Sequence, residues 1–343
     1  MAAAVTGLMN FKVLYPSYLQ GFFREAFFIM ITAFNSLFIF PPGSVFFTIQ
    51  IVIMFSPVVS GCMNWGQWGA KFSTAEYASM ISQCLDMGIT TFDHADIYGH
   101  YTTEEEFGEA IKNQPAVRQK MKIITKCGIK MVTPNRPGHL IKSYDTSGKH
   151  IRLSVERSLD NLHTDHIDAL LIHRPDPLMD PMEIVETVDR LKSEGKILGF
   201  GVSNFLPQHM DLFSKYLRLS INQFEISAFK TDAIHDGTLD YCLHHNIRCL
   251  SWSPLGGGKL QAEEKDESTR RVIAVAEILA EEYQVMPDQV LLAWLFAHPA
   301  GIIPVMGTTK PARLKKALEA KNITLSHEQW FMIYRAFLGK EVP

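Results

Sequence analysis

Along most of the chain, short apolar, β-branched runs trade places at regular intervals with longer stretches whose apolar residues recur at helical spacing. The strand-like runs fall at residues 57–61, 90–93, 122–126, 167–173, 197–202, 220–225, 248–252 and 301–304. Between and after them the spacing predicts helices over 74–87, 103–112, 151–162, 181–193, 207–216, 238–245, 268–283, 287–296, 311–320 and 326–338. Ser73 and Glu76 make a capping box at the start of the first helix, and Gly88 closes it. Successive strands start about 25 to 45 residues apart, the length of a βα unit and too long for hairpins. A further run at 48–55 reads as a strand of a hairpin that plugs one end of a barrel, and 127–149, rich in Gly, Pro and Ser, reads as an irregular connection.

Eight such strands with intervening helices predict an α/β protein, a closed (β/α)8 TIM barrel in one domain over 48–343. A doubly wound open sheet ranks second, because no G-x-G-x-x-G follows an early strand.

Composition agrees with a folded enzyme-sized domain: 47% of the 343 residues are hydrophobic and 20% charged. With 33 basic and 36 acidic residues and a net charge of -3, the chain has no basic excess suited to nucleic acid. Five scattered cysteines, Cys62, Cys84, Cys127, Cys242 and Cys249, make no C-x-x-C; they point to core packing in a reducing compartment, hence a cytoplasmic location. The N-terminus departs from this picture. Between Glu25 and Lys71 no charged residue occurs, and two apolar stretches, 26–40 and 45–55, are broken by Pro41, Pro42 and Gly43. Each is shorter than the roughly 20 apolar residues that span a bilayer. Three readings of this apolar extension over 1–47 stand side by side: a membrane-associated hairpin or anchor, a non-native or upstream-start extension, and a packed structural segment. Membrane contact is expected only through residues 20–55.

Candidate chemistry emerges from where polar residues interrupt the apolar strands. Asp93 closes the second strand, Lys126 the third, His173 the fourth, Ser203 and Asn204 the fifth, Gln223 and Glu225 the sixth, and Trp252 with Ser253 the seventh. All lie at carboxyl ends, which in a barrel converge on one mouth. Tyr98 follows Asp93 in a polar turn. A phenol is a poor acid at neutral pH, but the ammonium of Lys126 lowers its pKa, and Asp93 holds the lysine in place. His173 offers a hydrogen bond to a carbonyl oxygen, and Trp252 a flat surface for a planar ring. Together these groups describe general acid catalysis on a carbonyl.

Neighbouring residues read more simply. Strand alternation sends Phe92 and His94 outward when Asp93 faces the axis. Asp96 reads as a turn residue, and Glu104, Glu105 and Glu106 as a helix start favoured by its dipole. His163, His166, His244 and His245 make no metal spacing.

The motifs resemble those of the aldo-keto reductase family. The matching pieces are D-H-A-D-I-Y-G around Asp93 and Tyr98, I-T-K-C-G around Lys126, L-L-I-H-R-P-D around His173, then G-V-S-N-F, N-Q-F-E-I-S and S-W-S-P-L-G. They occur in order from residue 48 to the C-terminus, most like the bacterial branch with D-H-A-D-I-Y-G and H-R-P-D-P-L-M-D. The resemblance implies a carbonyl reductase using NADP(H) on a small-molecule aldehyde or ketone. It assigns Tyr98 as general acid, Lys126 and Asp93 as its tuning pair, and His173 as the group orienting the carbonyl. Ser203, Asn204 and Gln223 then match the residues holding the nicotinamide carboxamide, and Trp252 the stacking ring. The loop with Ser253, Leu255, Gly256, Gly257 and Gly258 would bring backbone N–H groups to the pyrophosphate. Gly307, Thr308, Thr309, Lys310 and Arg313 would hold the far end, with cations suited to a 2′-phosphate. Lys316 and Ala317 depart from the acidic residue and asparagine many members carry near the adenine. An alternative is a cofactor-binding regulatory subunit attached to a membrane protein; a folded, inactive barrel ranks third. Substrate choice would rest on the loops 64–72 and 127–149 and parts of 229–237 and 260–269, with Trp65, Trp68 and residues 131–140 as candidate walls.

Overall fold

The computed structural model describes residues 55–342. The apolar extension and all but the last residue of the strand expected at 48–55 lie outside them. In chain order the strands are β1 (Val59–Gly61), β2 (Thr91–Asp93), β3 (Lys122–Cys127), β4 (Ile129–Lys130), β5 (Ser143–Tyr144), β6 (Ile167–Ile172), β7 (Ile197–Ser203), β8 (Ile221–Glu225), β9 (Arg248–Trp252) and β10 (Ile303–Met306). Eight of them close into a parallel barrel in the order β1, β2, β3, β6, β7, β8, β9, β10 and back to β1. All eight expected barrel strands are present. The remaining two, β4 and β5, pair antiparallel inside the connection expected to be irregular.

Alternation along each strand divides the side chains into two layers. Val59, Ile124, Ala169, Leu171, Ile221, Leu250 and Val305 fill the barrel interior. Phe92, Ile123, Cys127, Leu170, Ile172, Phe200, Val202, Phe224 and Cys249 belong instead to the large cluster shared with the surrounding helices. Polar residues that continue the inward series above the inner layer, Asp93, Lys126 and Gln223 among them, are held at the carboxyl-end mouth. All five cysteines are buried free thiols.

The helices start where their caps dictate. Ser73 and Glu76 form both bonds of the capping box before helix Thr74–Asp86, and Gly88 takes a φ of 82° beyond its end. Ser147 caps helix Gly148–Asn161, which therefore begins three residues before the first apolar position. The last strand lies two residues later than its pattern suggests, because Gly301 turns at φ 63° with its N–H on the His298 carbonyl. Helix Pro207–Asp211 is shorter than the predicted 207–216; the chain continues in hydrogen-bonded turns as far as Leu217. Among the described residues no helix is long and apolar enough to cross a membrane.

Candidate active site

Strand β3 carries Lys126 into the barrel with 1% of its side chain exposed. A buried ammonium requires compensation for every lost water, and this one has three acceptors for its three protons. Nζ donates to Asp93 Oδ2 at 2.8 Å, to the His94 carbonyl at 2.8 Å and to the Tyr98 hydroxyl at 3.2 Å. It also lies 2.8 Å from Asp93 Oδ1. Burial pushes the Lys126 pKa down, but the Asp93 carboxylate and Tyr98 outweigh it, so the net shift is upward and the ammonium persists. Because the phenol oxygen accepts from Lys126, the phenol's own proton is directed elsewhere.

Tyr98 corrects one expectation. Burial raises its pKa more than Lys126 lowers it, with Asp93 adding to the rise. The hydroxyl therefore stays protonated through the neutral range. His173 stands edge-on to the Tyr98 ring, with centroids 6.2 Å apart. Its pKa is held well below the ordinary range by burial, then by Lys126, Arg174 and Lys142, so the imidazole is neutral. Its Nδ1 has no partner among the described residues.

On the far wall, Gln223 donates through Nε2 to Asp93 Oδ1 at 2.9 Å. Asn204, in the left-handed region at φ 61°, donates to Ser203 Oγ at 2.8 Å and accepts from Trp252 Nε1 at 2.9 Å. Ser203 in turn donates to the Gln223 carbonyl. Arg174 lies over the Trp252 ring, 5.8 Å from its centroid.

The donor set fits a dinucleotide. Ser253 and the three glycines Gly256, Gly257 and Gly258 all have positive φ, at 49°, 68°, 64° and 99°. A Cβ at Gly256 would meet the Phe229 ring at 2.7 Å, so that glycine is also required by packing, whereas Gly258 faces open space. Leu255 packs against the outer core. Beyond β10, the Gly307 carbonyl accepts from Asn64 Nδ2 at 3.1 Å, and Thr308 Oγ1 accepts from the Lys310 N–H at 3.2 Å. Thr309 is half-buried beside them. Helix Pro311–Glu319 starts immediately after Lys310, where backbone N–H groups favour an anion. Lys310 and Arg313 are exposed and have no carboxylate partner among the described residues. Ala317 is packed in the core with 1% exposure and does not reach the surface.

Several neighbours prove different from their simple readings. Glu104 is 3% exposed and accepts from Thr125 Oγ1 at 2.6 Å and Ser158 Oγ at 2.9 Å, so it ties β3 to two helices rather than serving only a helix start. Burial raises its pKa. Glu106 accepts from the Tyr77 and Thr102 hydroxyls. Asp96 is no free turn residue: its carboxyl is pushed well up by burial and by Glu104. His94 does point outward, onto the Phe107 ring at 4.5 Å. Trp65 is fully buried among Phe72, Tyr77, Phe92 and Phe107 and walls no pocket. Trp68 does approach the mouth, 6.0 Å from the Tyr98 ring and 5.4 Å from that of His100.

After Tyr98 the chain passes through three successive left-handed residues, Gly99, His100 and Tyr101, at φ 59°, 60° and 71°. Two of them carry side chains, so the turn is costly and must be held by its surroundings. Tyr101 donates its hydroxyl to the Ile129 carbonyl and accepts from the Met131 N–H at 3.0 Å. Asn135 Nδ2 donates to the His100 carbonyl at 2.8 Å, and Arg136 stacks on Tyr101 at 4.5 Å. The turn after Tyr98 and the β4–β5 connection are thus one bonded unit.

The model of the aldo/keto reductase family matches residues 57–336. The oxidoreductase YcsN of Bacillus subtilis is 44% identical over 85% of this chain and 97% of its own length. The oxidoreductase YdhF of Escherichia coli is 42% identical over 84% and 96%. A 6-dehydroglucose reductase of Agrobacterium fabrum is 40% identical over 81% and 94%. Among solved structures, a glycerol dehydrogenase from Gluconobacter oxydans shares the fold with a TM-score of 0.75 at 24% identity, covering 86% of this chain and 96% of that one.

Proposed function

The chain belongs to the aldo/keto reductase family, a family of nicotinamide-dependent oxidoreductases, and we propose that its barrel mouth reduces an aldehyde or ketone to an alcohol with NADPH as hydride donor. The observation that carries this reading is the chain of contacts from Asp93 through the Lys126 ammonium to the Tyr98 hydroxyl, with a neutral imidazole beside it. NADPH, when bound, would supply the hydride. Tyr98 donates its proton to the carbonyl oxygen as that oxygen gains negative charge. Lys126 stabilises the phenolate left behind, which is worth most in the transition state, where that charge appears. Asp93 keeps the ammonium in position. His173, neutral, keeps one ring N–H as a donor and uses it to orient the carbonyl oxygen toward Tyr98. Trp252 would offer its ring face to the nicotinamide. Lys310, Arg313 and Thr308 favour NADP(H) over NAD(H), through charge and hydroxyl donors for a 2′-phosphate.

Relatives named as reductases or oxidoreductases support turnover rather than binding alone. One name, 6-dehydroglucose reductase, motivates placing a sugar-derived aldehyde among the substrates to be tried. The test is oxidation of NADPH by the purified protein with aldehydes, ketones, quinones and 6-dehydroglucose, run in parallel with NADH. Tyr98→Phe should abolish turnover while NADPH fluorescence quenching persists. Failure of the unaltered protein to bind NADPH would overturn the proposal.

A further inference from the structure

Gln223 and Asp93 are joined across the full width of the barrel. Their strands, β8 and β2, lie four strands apart in either direction around the closed sheet, so they are diametrically opposite. The two side chains are 2% and 3% exposed and meet at 2.9 Å from Gln223 Nε2 to Asp93 Oδ1. Beneath them lies the apolar inner layer of Val59, Ile124, Leu171, Ile221 and Leu250. Lys126 grips both Asp93 oxygens at 2.8 Å, and the Gln223 amide adds a neutral donor at Oδ1 from the opposite wall, which fixes the carboxylate plane from a second direction.

From this bond we infer that Gln223 is a positioning residue for proton donation, clamping the Asp93 carboxylate in the orientation that holds Lys126 under Tyr98. The inference rests on the reductase reading and deepens it. The family resemblance assigns Gln223 to the cofactor's carboxamide alone. A primary amide has two N–H groups and one carbonyl oxygen, however, and the Asp93 bond uses a single N–H. The other N–H and Oε1 stay available to a carboxamide. One side chain therefore serves both the cofactor pocket and the ionic pair of the acid, and its occupancy by cofactor is felt at Asp93. The charged and titratable groups facing Asp93 are Lys126, Tyr98 and the buried Cys62, whose N–H also donates to the Asp93 carbonyl at 2.9 Å. Lys126 also touches Oδ1, but its three protons are shared with Oδ2, the His94 carbonyl and Tyr98, and the Cys62 S–H is turned to the Ser60 carbonyl at 3.7 Å, so neither supplies the direction of the Gln223 bond.

The test compares Gln223→Met, which keeps the length and removes both polar atoms, with the unaltered enzyme. NADPH affinity is read by fluorescence quenching. The pH profile of kcat is recorded at saturating NADPH. We expect kcat to fall about tenfold or more at saturation, with the alkaline limb displaced by half a pH unit or more, the tenfold corresponding to loss of a hydrogen bond to a charged group. Weaker NADPH binding with kcat and its pH profile unchanged at saturation would overturn the inference and leave Gln223 a cofactor ligand only. A second measurement needs no turnover. Urea unfolding of Gln223→Met, Asp93→Ala and the double variant should be non-additive if the two side chains act as a unit, and additive if they do not. If the unaltered protein reduces no carbonyl, the reductase reading fails, and the unfolding cycle still decides whether the cross-barrel clamp exists. Should Asp93→Ala not fold, Asp93→Leu in a Lys126→Met background, which removes the acceptor and leaves no stranded charge, takes its place in that cycle.

Discussion

Glu104 and Thr125 share a 2.6 Å hydrogen bond on the outer face of β3, one residue before the lysine that faces the site. The carboxyl also accepts from Ser158, so one buried group fastens the strand beneath the active site to two helices. Its pKa is raised, by burial before all else. A raised carboxyl favours the fold in its protonated form. That contribution is complete below the unfolded-state pKa of about 4.3 and is lost as pH rises through the folded-state value. Glu104→Gln keeps an acceptor for Thr125 and removes the ionisation. Relative to the unaltered protein, its stability to urea should rise between pH 4 and pH 8; an identical pH dependence in both proteins would show that Glu104 is not buried as a charge.

His94 gives the opposite slope. Burial, with Lys126 adding to it, holds the pKa of this imidazole at about 3. Neither ring nitrogen has a partner among the described residues. In the unfolded chain the ring takes up a proton below about pH 6.5, while in the fold it stays neutral. Stability from this group is present above that value and is lost as pH falls, by about 2 kcal/mol at pH 5. His94→Leu should therefore gain about that much on the unaltered protein between pH 7.5 and pH 5, read from denaturation midpoints.

The Lys126 pair can be separated into its structural and catalytic parts. Lys126→Met alone leaves Asp93 buried and unpaired, at a cost of about 3–5 kcal/mol, and should abolish carbonyl reduction. Adding Asp93→Asn removes the stranded charge. Thermal unfolding of the double variant should recover most of the lost stability, while turnover stays absent. Recovery of turnover in the double variant would remove Lys126 from the proposed mechanism.

Cofactor choice has its own signature. Lys310→Ala and Arg313→Ala should each weaken NADPH binding about tenfold or more, the size of one hydrogen bond to a charged group, and leave NADH binding nearly unchanged. The effect should shrink as ionic strength rises. Equal losses for both cofactors would move these two side chains away from a 2′-phosphate.

The barrel was legible because its strands and helices carry different periods, and because a polar residue recurs at the carboxyl end of strand after strand. Asp93, Lys126, His173, Gln223 and Trp252 could be placed at a common mouth on that ground alone. What the pattern hid were contacts that depend on which neighbour comes close. Glu104 looks like any acidic residue in a first helical turn, and only the approach of Thr125 and Ser158 makes it a buried fastener. Trp65 and Trp68 are three residues apart in one loop, yet one is core and the other faces Tyr98. The direction of the Tyr98 shift turned on a balance of burial against charge, and burial depends on the whole packed barrel rather than on any motif. The bond from Gln223 to Asp93 spans 130 residues of sequence and follows only from closure of the sheet.

The grip of Asn204 on the Trp252 indole bears on how quickly the pocket works. Its Oδ1 takes the indole N–H at 2.9 Å, while its Nδ2 is committed to Ser203, in a left-handed backbone that fixes where both atoms point. The ring is thus parked before any ligand arrives. Association does not have to freeze a swinging indole, so the binding entropy otherwise lost to rotamer selection is already accounted for in the folded chain. Loosening that latch should slow productive docking and quicken release even where every atom touching the ligand is left in place.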